Sequence, residues 1–180
     1  MARILAVMAL ILFAATANPT HADTSDPENT LYMELTDGRV VIRLRPDLAP
    51  NHVNRIKKLT RSGFYDGVVF HRVLDGFMAQ SGDPTGTGSG GSDEPDLVAE
   101  FTETPFVRGV IGAARQSNPF VNSANSQFFI MFEEKPGLNG QYTVWGEVIE
   151  GMEFVDQIKR GEPPSNPDQI IRMQIAADAG

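Results

Sequence analysis

Phe70-His71-Arg72-Val73-Leu74-Asp75-Gly76-Phe77-Met78-Ala79-Gln80 sets a fixed cation, an imidazole and an amide among large apolar groups. Residues 68–73 and 77–80 read as two short strands separated by the Leu74-Asp75-Gly76 turn. A second stretch, Asn125-Ser126-Gln127-Phe128-Phe129-Ile130-Met131, repeats the same mixture. Strand alternation puts Gln127, Phe129 and Met131 on one face and Ser126, Phe128 and Ile130 on the other. By the same rule His71 and Arg72 face opposite sides. Together the two stretches describe an apolar pocket with hydrogen-bond donors at its lip, able to grip and twist a substrate without a covalent step.

Outward from these motifs the chain keeps a β rhythm. Leu31, Met33 and Leu35 alternate with Tyr32, Glu34 and Thr36; beyond the hairpin signal Asp37-Gly38, Val40, Ile42 and Leu44 alternate with Val41, Arg43 and Arg45. Pro50 suits the first turn of a helix in which Val53, Ile56 and Leu59 fall inward while Asn54, Arg55, Lys57, Lys58 and Arg61 face out, with Gly63 as the stop. Residues 82–92 hold five glycines and read as a flexible surface loop. Residues 110–114, 127–131, 144–148 and 170–175 read as further strands, and 151–159 as a second helix with Phe154, Val155 and Ile158 inward. Many short strands, glycine-rich turns and two helices point to a mainly β barrel or sandwich whose open ends the helices cover.

The 180 residues suit one domain, placed at 30–176. A net charge of −8 and the lack of any basic run argue against nucleic acid or an anionic membrane as partner. The absence of cysteine removes disulfides, zinc-thiolate sites and thiol nucleophiles. At the N-terminus, Arg3 precedes an apolar run over residues 4–15, too short to span a bilayer and suited to an export signal. Two small-residue patterns offer cleavage, after Ala17 or after Ala22; the second is preferred because Pro19 then separates the apolar run from the cut. Residues 1–22 are thus expected to be a signal peptide and 23–29 a flexible leader, which fits a periplasmic protein with no membrane insertion after processing.

The chemistry of the motifs is narrow. Arg72 is permanently charged, so it can donate hydrogen bonds but cannot act as a base. No Ser, Cys or second His stands at a spacing that would complete a hydrolase with His71. His52 and His71 are far apart in sequence, so no metal site is expected. Gly86-Thr87-Gly88-Ser89-Gly90-Gly91 lacks the Gly-Lys-Ser/Thr of a phosphate cradle and runs into Asp93-Glu94-Pro95-Asp96, whose charges oppose a phosphate.

The chain resembles the cyclophilins, the cyclosporin-binding family of peptidyl-prolyl cis-trans isomerases, and most closely their compact bacterial branch. The resemblance covers residues 31–175. It runs through Leu48-Ala49-Pro50, Phe64-Tyr65-Asp66-Gly67, the long motif at 70–80, Gly82-Asp83-Pro84-Thr85-Gly86, residues 109–114, 125–130 and 143–148. It implies a closed eight-stranded antiparallel β-barrel capped by two α-helices, with the site on the barrel's outer face. It also implies isomerase activity toward Xaa-Pro bonds in unfolded or partly folded exported polypeptides, with no cofactor and a monomeric state. Carried over by motif, Arg72 would be the catalytic arginine. Phe77, Met78, Phe129 and Leu138 would receive the proline ring; Gln80 and Gln127 would bind substrate or hold Arg72. His71 adjoins the catalytic position, and Ala114 with Arg115 would line the groove for the residue before proline. Three positions depart from the better-known eukaryotic pattern: Pro136-Gly137 replaces a Trp-bearing loop, Tyr142 replaces a His, and Arg115 replaces an Asn. Weak cyclosporin binding follows from the missing Trp. Residues 117–123 look longer than in close relatives and are expected to form a raised rim. The competing reading is a non-catalytic proline-peptide-binding module or holdase.

Overall fold

The computed structural model describes residues 26–180. The expected export signal, both cleavage patterns and the start of the leader lie outside the described residues. The expected leader is already structured from Asp26: residues 27–29 form a 3-10 turn capped by the Asp26 carboxylate, and Glu28 pairs with Arg61.

Eight strands form one antiparallel sheet: β1 (Thr30–Glu34), β2 (Arg39–Leu44), β3 (Arg72–Leu74), β4 (Met78–Ser81), β5 (Val110–Ala113), β6 (Phe128–Met131), β7 (Val144–Glu150) and β8 (Arg172–Ile175). Their order is β3-β4-β6-β5-β7-β2-β1-β8. The predicted strand at 68–73 is only partly in the ladder, because its first half pairs elsewhere. Phe70 N donates to Asp168 O at 2.9 Å and Ile170 N to Val68 O at 2.9 Å, while Val73 and Gly161 exchange bonds at 2.8 Å in each direction. The first two bonds join the segments that lead into the edge strands β3 and β8, and the last pair ties β3 to Gly161.

Alternation along the strands sorts side chains into two clusters. Val73, Ala79, Ile111, Phe128 and Ile130 join Leu31, Met33, Ile42 and Trp145 in the interior, together with Val53, Ile56 and Leu59 from the first helix. Met78, Val110, Phe129, Met131 and Val144 form a second cluster with Phe106 on the other face. A shift of one residue in register would exchange the two sets.

The first helix, α1 (Pro50–Arg61), begins at Pro50 as expected but has no side-chain cap of its own. The distant Glu100 carboxylate does that work, accepting from Asn51 N at 3.1 Å and His52 N at 3.0 Å. Arg55, expected to face out, is buried and donates to Pro95 O at 2.7 Å, tying the helix to the segment that follows the glycine-rich loop. The expected helix at 151–159 shrinks to one turn, α2 (Met152–Val155). Beyond it the bonding tightens to i−3, from Gln157 N to Phe154 O and from Ile158 N to Val155 O, both at 3.2 Å. At the Asp37-Gly38 turn, a Cβ on residue 38 would lie 2.4 Å from the Phe154 ring, so glycine is needed there for packing as well as for the turn.

The interior cluster should carry most of the stability. Phe128 is fully buried and meets Tyr65 and Trp145 edge-on at 5.8 and 5.6 Å. Phe128→Ala is expected to cost about 3–5 kcal/mol in a chemical denaturation experiment; a loss below about 1 kcal/mol would contradict this packing.

Candidate active site

The registers place one row of residues side by side across the sheet. Arg72 on β3 faces Gln80 on β4, Gln80 faces Phe129 on β6, and Phe129 faces Gly112 on β5. Directly opposed residues share a face, so the row lies on the side of the second cluster, outside the interior.

A cavity of about 120 Å³ opens over this row, lined by Arg72, Phe77, Met78, Gln80, Ala114, Arg115, Phe129, Leu138 and Tyr142. Its floor is aromatic. Phe129 stacks on Phe106 with ring centroids 5.7 Å apart and meets Tyr142 edge-on at 5.5 Å. The 3-10 turn Pro136–Leu138 brings Leu138 to the wall. Arg115 lies with its guanidinium carbon 4.6 Å from the Tyr142 ring centre and donates to Gln141 O at 3.1 Å. Gly112 makes this floor possible, since a Cβ there would stand 2.5 Å from Phe129 and 2.7 Å from Phe106.

A second, more polar groove of about 490 Å³ adjoins the first and shares Gln80, Ala114 and Arg115 with it. Its walls include Gly88, Gly90, Asn125, Gln127, Gln116 and Ser123. Ser123 ends the predicted rim and Gln116 stands just before it; the rim is pinned by bonds from Gln116 N to Ser123 Oγ at 2.8 Å and from Ser123 Oγ to Phe120 O at 2.6 Å. Phe120 at the tip of this rim is exposed.

The glycine-rich segment is a surface loop, as composition suggests, and it is wrapped round one acidic side chain. Asp83 is buried beneath it and accepts hydrogen bonds from Thr85 N (2.8 Å), Thr87 N (3.1 Å), Gly88 N (2.6 Å) and Gly90 N (3.1 Å). Burial alone would raise this carboxyl's pKa; the bonds from Thr85, Gly90 and Gly88 outweigh burial and hold it down at about 2. Gln127 ties the loop to the row, donating to Gly88 O at 3.0 Å and Gly90 O at 2.8 Å while accepting from Gln80 Nε2 at 2.9 Å.

Two expected site residues therefore behave differently. Gln127 borders the polar groove and braces the loop. His71 lines neither cavity: it is buried under the loop, against Gly88, with burial pushing its imidazole below the ordinary pKa against an opposing pull from Asp83. It is packed away from both cavities. Arg72 is not held by either glutamine; its Nε donates to Glu162. Sequence reasoning missed Glu162, Gly112, Phe106 and the role of Asp83. Only Asp83 carried a signal, as an Asp ahead of a Thr- and Gly-rich turn that its side chain could cap.

The comparisons with known proteins agree with this architecture. The family model of cyclophilin type peptidyl-prolyl cis-trans isomerases matches residues 30–175. The chain belongs to that family. It is 55% identical over 173 residues to a probable peptidyl-prolyl cis-trans isomerase of Brucella suis, covering 87% of each chain. It is 40% identical over 134 residues to peptidyl-prolyl cis-trans isomerase B of Bacillus subtilis, covering 74% of this chain and 92% of that one. Among solved structures, cyclophilin AquaCyp293 from Hirschia baltica superposes with a TM-score of 0.77 at 31% identity, covering 85% of this chain and 76% of that one. A Cryptosporidium parvum cyclophilin crystallised in the presence of the dipeptide Ala-Pro gives 0.74 at 28% identity, covering 81% of this chain and 98% of that one. This cyclophilin is accordingly a peptidyl-prolyl cis-trans isomerase, with the mainly β, eight-stranded antiparallel fold that its motifs implied.

Two predictions follow from the geometry of this isomerase. Gly112→Ala should displace Phe129 and Phe106, lowering kcat/KM in a peptide isomerisation assay by about tenfold or more and costing about 1–3 kcal/mol of stability; unchanged kinetics would show that the floor can shift freely. Asp83 has a depressed folded-state pKa, so its contribution is present above its ordinary value of 3.8 and is lost as pH falls from there toward about 2. Amide resonances of Thr87, Gly88 and Gly90 in the folded protein should titrate with a midpoint at about pH 2 and stay fixed there in Asp83→Asn.

Proposed function

We propose that this isomerase acts on exported polypeptides in the periplasm and that Arg72 is its catalytic residue. The observation that carries the catalytic reading is the row itself, in which a guanidinium stands one strand from an amide and two strands from the aromatic floor of a cavity. In this reading the proline ring rests on Phe129 between Phe77, Met78 and Leu138. The residue before it lies along Ala114 and Arg115 toward the polar groove.

An Xaa-Pro bond resists rotation because amide resonance delocalises the nitrogen lone pair. At the twisted geometry the nitrogen becomes pyramidal and its lone pair localises. A donor aimed at that nitrogen binds the twisted state more strongly than the planar one, and only such a difference lowers a barrier. Lowering it by about 5 kcal/mol speeds rotation by roughly three to four orders of magnitude. A charge-assisted bond from Arg72, with the acyl side anchored in the groove, is of the right size to supply this. No proton changes hands, which suits a site whose one imidazole is packed away under the loop.

Export rests on the sequence of the first 22 residues, and a chain without cysteine fits a periplasm, where disulfides are optional. The Pro136–Leu138 turn offers no indole at the cavity mouth, which supports weak cyclosporin binding.

Arg72→Ala should leave the fold intact and reduce kcat/KM toward an Ala-Xaa-Pro-Phe peptide by at least about a hundredfold, in the range seen when a stabilising donor is removed from an active site. Near-wild-type turnover in that variant would refute the role given to Arg72. Acceleration of proline-limited refolding at substoichiometric protein separates an enzyme from a holdase, which acts only near one-to-one.

A further inference from the structure

Residues 161–164, Gly-Glu-Pro-Pro, belong to no helix or strand and carry no motif. Their backbone is nevertheless fixed. Val73 and Gly161 form an isolated antiparallel bridge, each donating to the other's carbonyl at 2.8 Å. The bridge is a single pair, and it brings the residue after Gly161 beside the residue before Val73, at the Arg72 end of the row. The side chains meet there, with Arg72 Nε donating to Glu162 Oε1.

We propose that Glu162 is the positioning residue for Arg72: its carboxylate holds the guanidinium by Nε so that the opposite edge, with the terminal amines, is presented to the cavity. This rests on the catalytic reading of Arg72. An arginine has four side-chain torsions to fix, and neither glutamine of the site fixes them, because Gln80 and Gln127 bond each other and the glycine loop. Binding Nε alone is the arrangement that orients the fork while leaving the terminal donors for substrate. A carboxylate that gripped the terminal amines would instead compete with the substrate for them.

The magnitude is set by exposure. The Arg72 side chain is 34% exposed and that of Glu162 56%, so the pair is screened and biases orientation by a modest factor. Removing it should reduce kcat rather than abolish it. KM should change little, since the ring pocket and the polar groove are untouched.

The test compares wild type, E162A, E162Q, E162D and R72A in the peptide isomerisation assay, with thermal melts and the ¹⁵Nε–H resonance of Arg72 as independent readouts. For E162A the expected result is a kcat about two- to fivefold lower at nearly constant KM and an unchanged melt. The Arg72 Nε–H signal should move toward that of a free, rapidly exchanging arginine. E162Q and E162D, which keep an acceptor, should fall between E162A and wild type, and added salt should narrow the gap between wild type and E162A. A wild-type kcat in E162A, a higher one, or a change confined to KM overturns the positioning role. If R72A turns over as fast as wild type, the catalytic reading of Arg72 fails and takes this inference with it. If R72A is inactive and E162A is indistinguishable from wild type, only the role of Glu162 fails.

Discussion

The structure depends on one constraint, the register that aligns Arg72, Gln80, Phe129 and Gly112 across four neighbouring strands. Each pairing is an ordinary antiparallel ladder, yet together they place charge, amide, aromatic floor and the glycine on which the aromatic rings lie in that order on one face. The same register puts Val73, Ala79, Ile130 and Ile111 in line on the other face, where they fill the interior. A slip by one residue would therefore move Arg72 and Gln80 into the core and expose a row of apolar side chains. Burying an unpaired guanidinium costs far more than any gain from the altered pairing. The stability of the interior thus enforces the geometry of the site.

The second level of support is polar. Asp83 gathers four backbone N–H groups under the glycine-rich loop, and Gln127 carries that order back to Gln80 in the row. Hydrogen bonds to a buried carboxylate are among the stronger ones a protein makes. A segment with this much glycine would otherwise have a large entropy to lose on ordering. Glycine is still needed, because the chain must wrap closely round one small acceptor: a Cβ at position 90 would lie 2.2 Å from Asp83 Oδ1. Composition alone cannot distinguish such a cage from a mobile loop.

That contrast shows what was legible in the sequence. The alternation of Phe128 and Phe129 between interior and site could be read directly, because a strand has a period of two and both neighbours are apolar. Pro50 at the start of α1 was equally plain. Arg55 was not: helical periodicity puts it outward, and the distant segments at Pro95 and Asn125, whose carbonyls it meets, are not visible in local spacing. The short α2 gave the same difficulty, since 151–159 has helical spacing but tightens into i−3 bonds after Val155. For His71, alternation already set the face opposite Arg72 but not the packing of Gly88 over it. Glu162 was invisible, because its partner is ninety residues away and the bridge beside them joins β3 to a segment with no strand pattern. Contacts set by long-range pairing leave no local trace.

A site on the outer face of a curled sheet faces a trade-off. An enclosed pocket would strengthen every hydrogen bond by lowering the local dielectric, but a polypeptide substrate must enter and leave with chain running out on both sides of the proline. The cavity here is small and open, and it continues into a larger polar groove through Gln80, Ala114 and Arg115. Electrostatic strength lost to solvent has to be recovered through orientation, since a donor already pointing the right way needs no reorganisation when the amide twists. In the proposed mechanism the row would supply that orientation on one side through Phe129, on which the proline ring would rest. On the other side, the backbone bridge beside Arg72 limits where the guanidinium can go. Fixing both partners of a single hydrogen bond, rather than burying it, is the physical solution open to an isomerase that must also let its substrate pass.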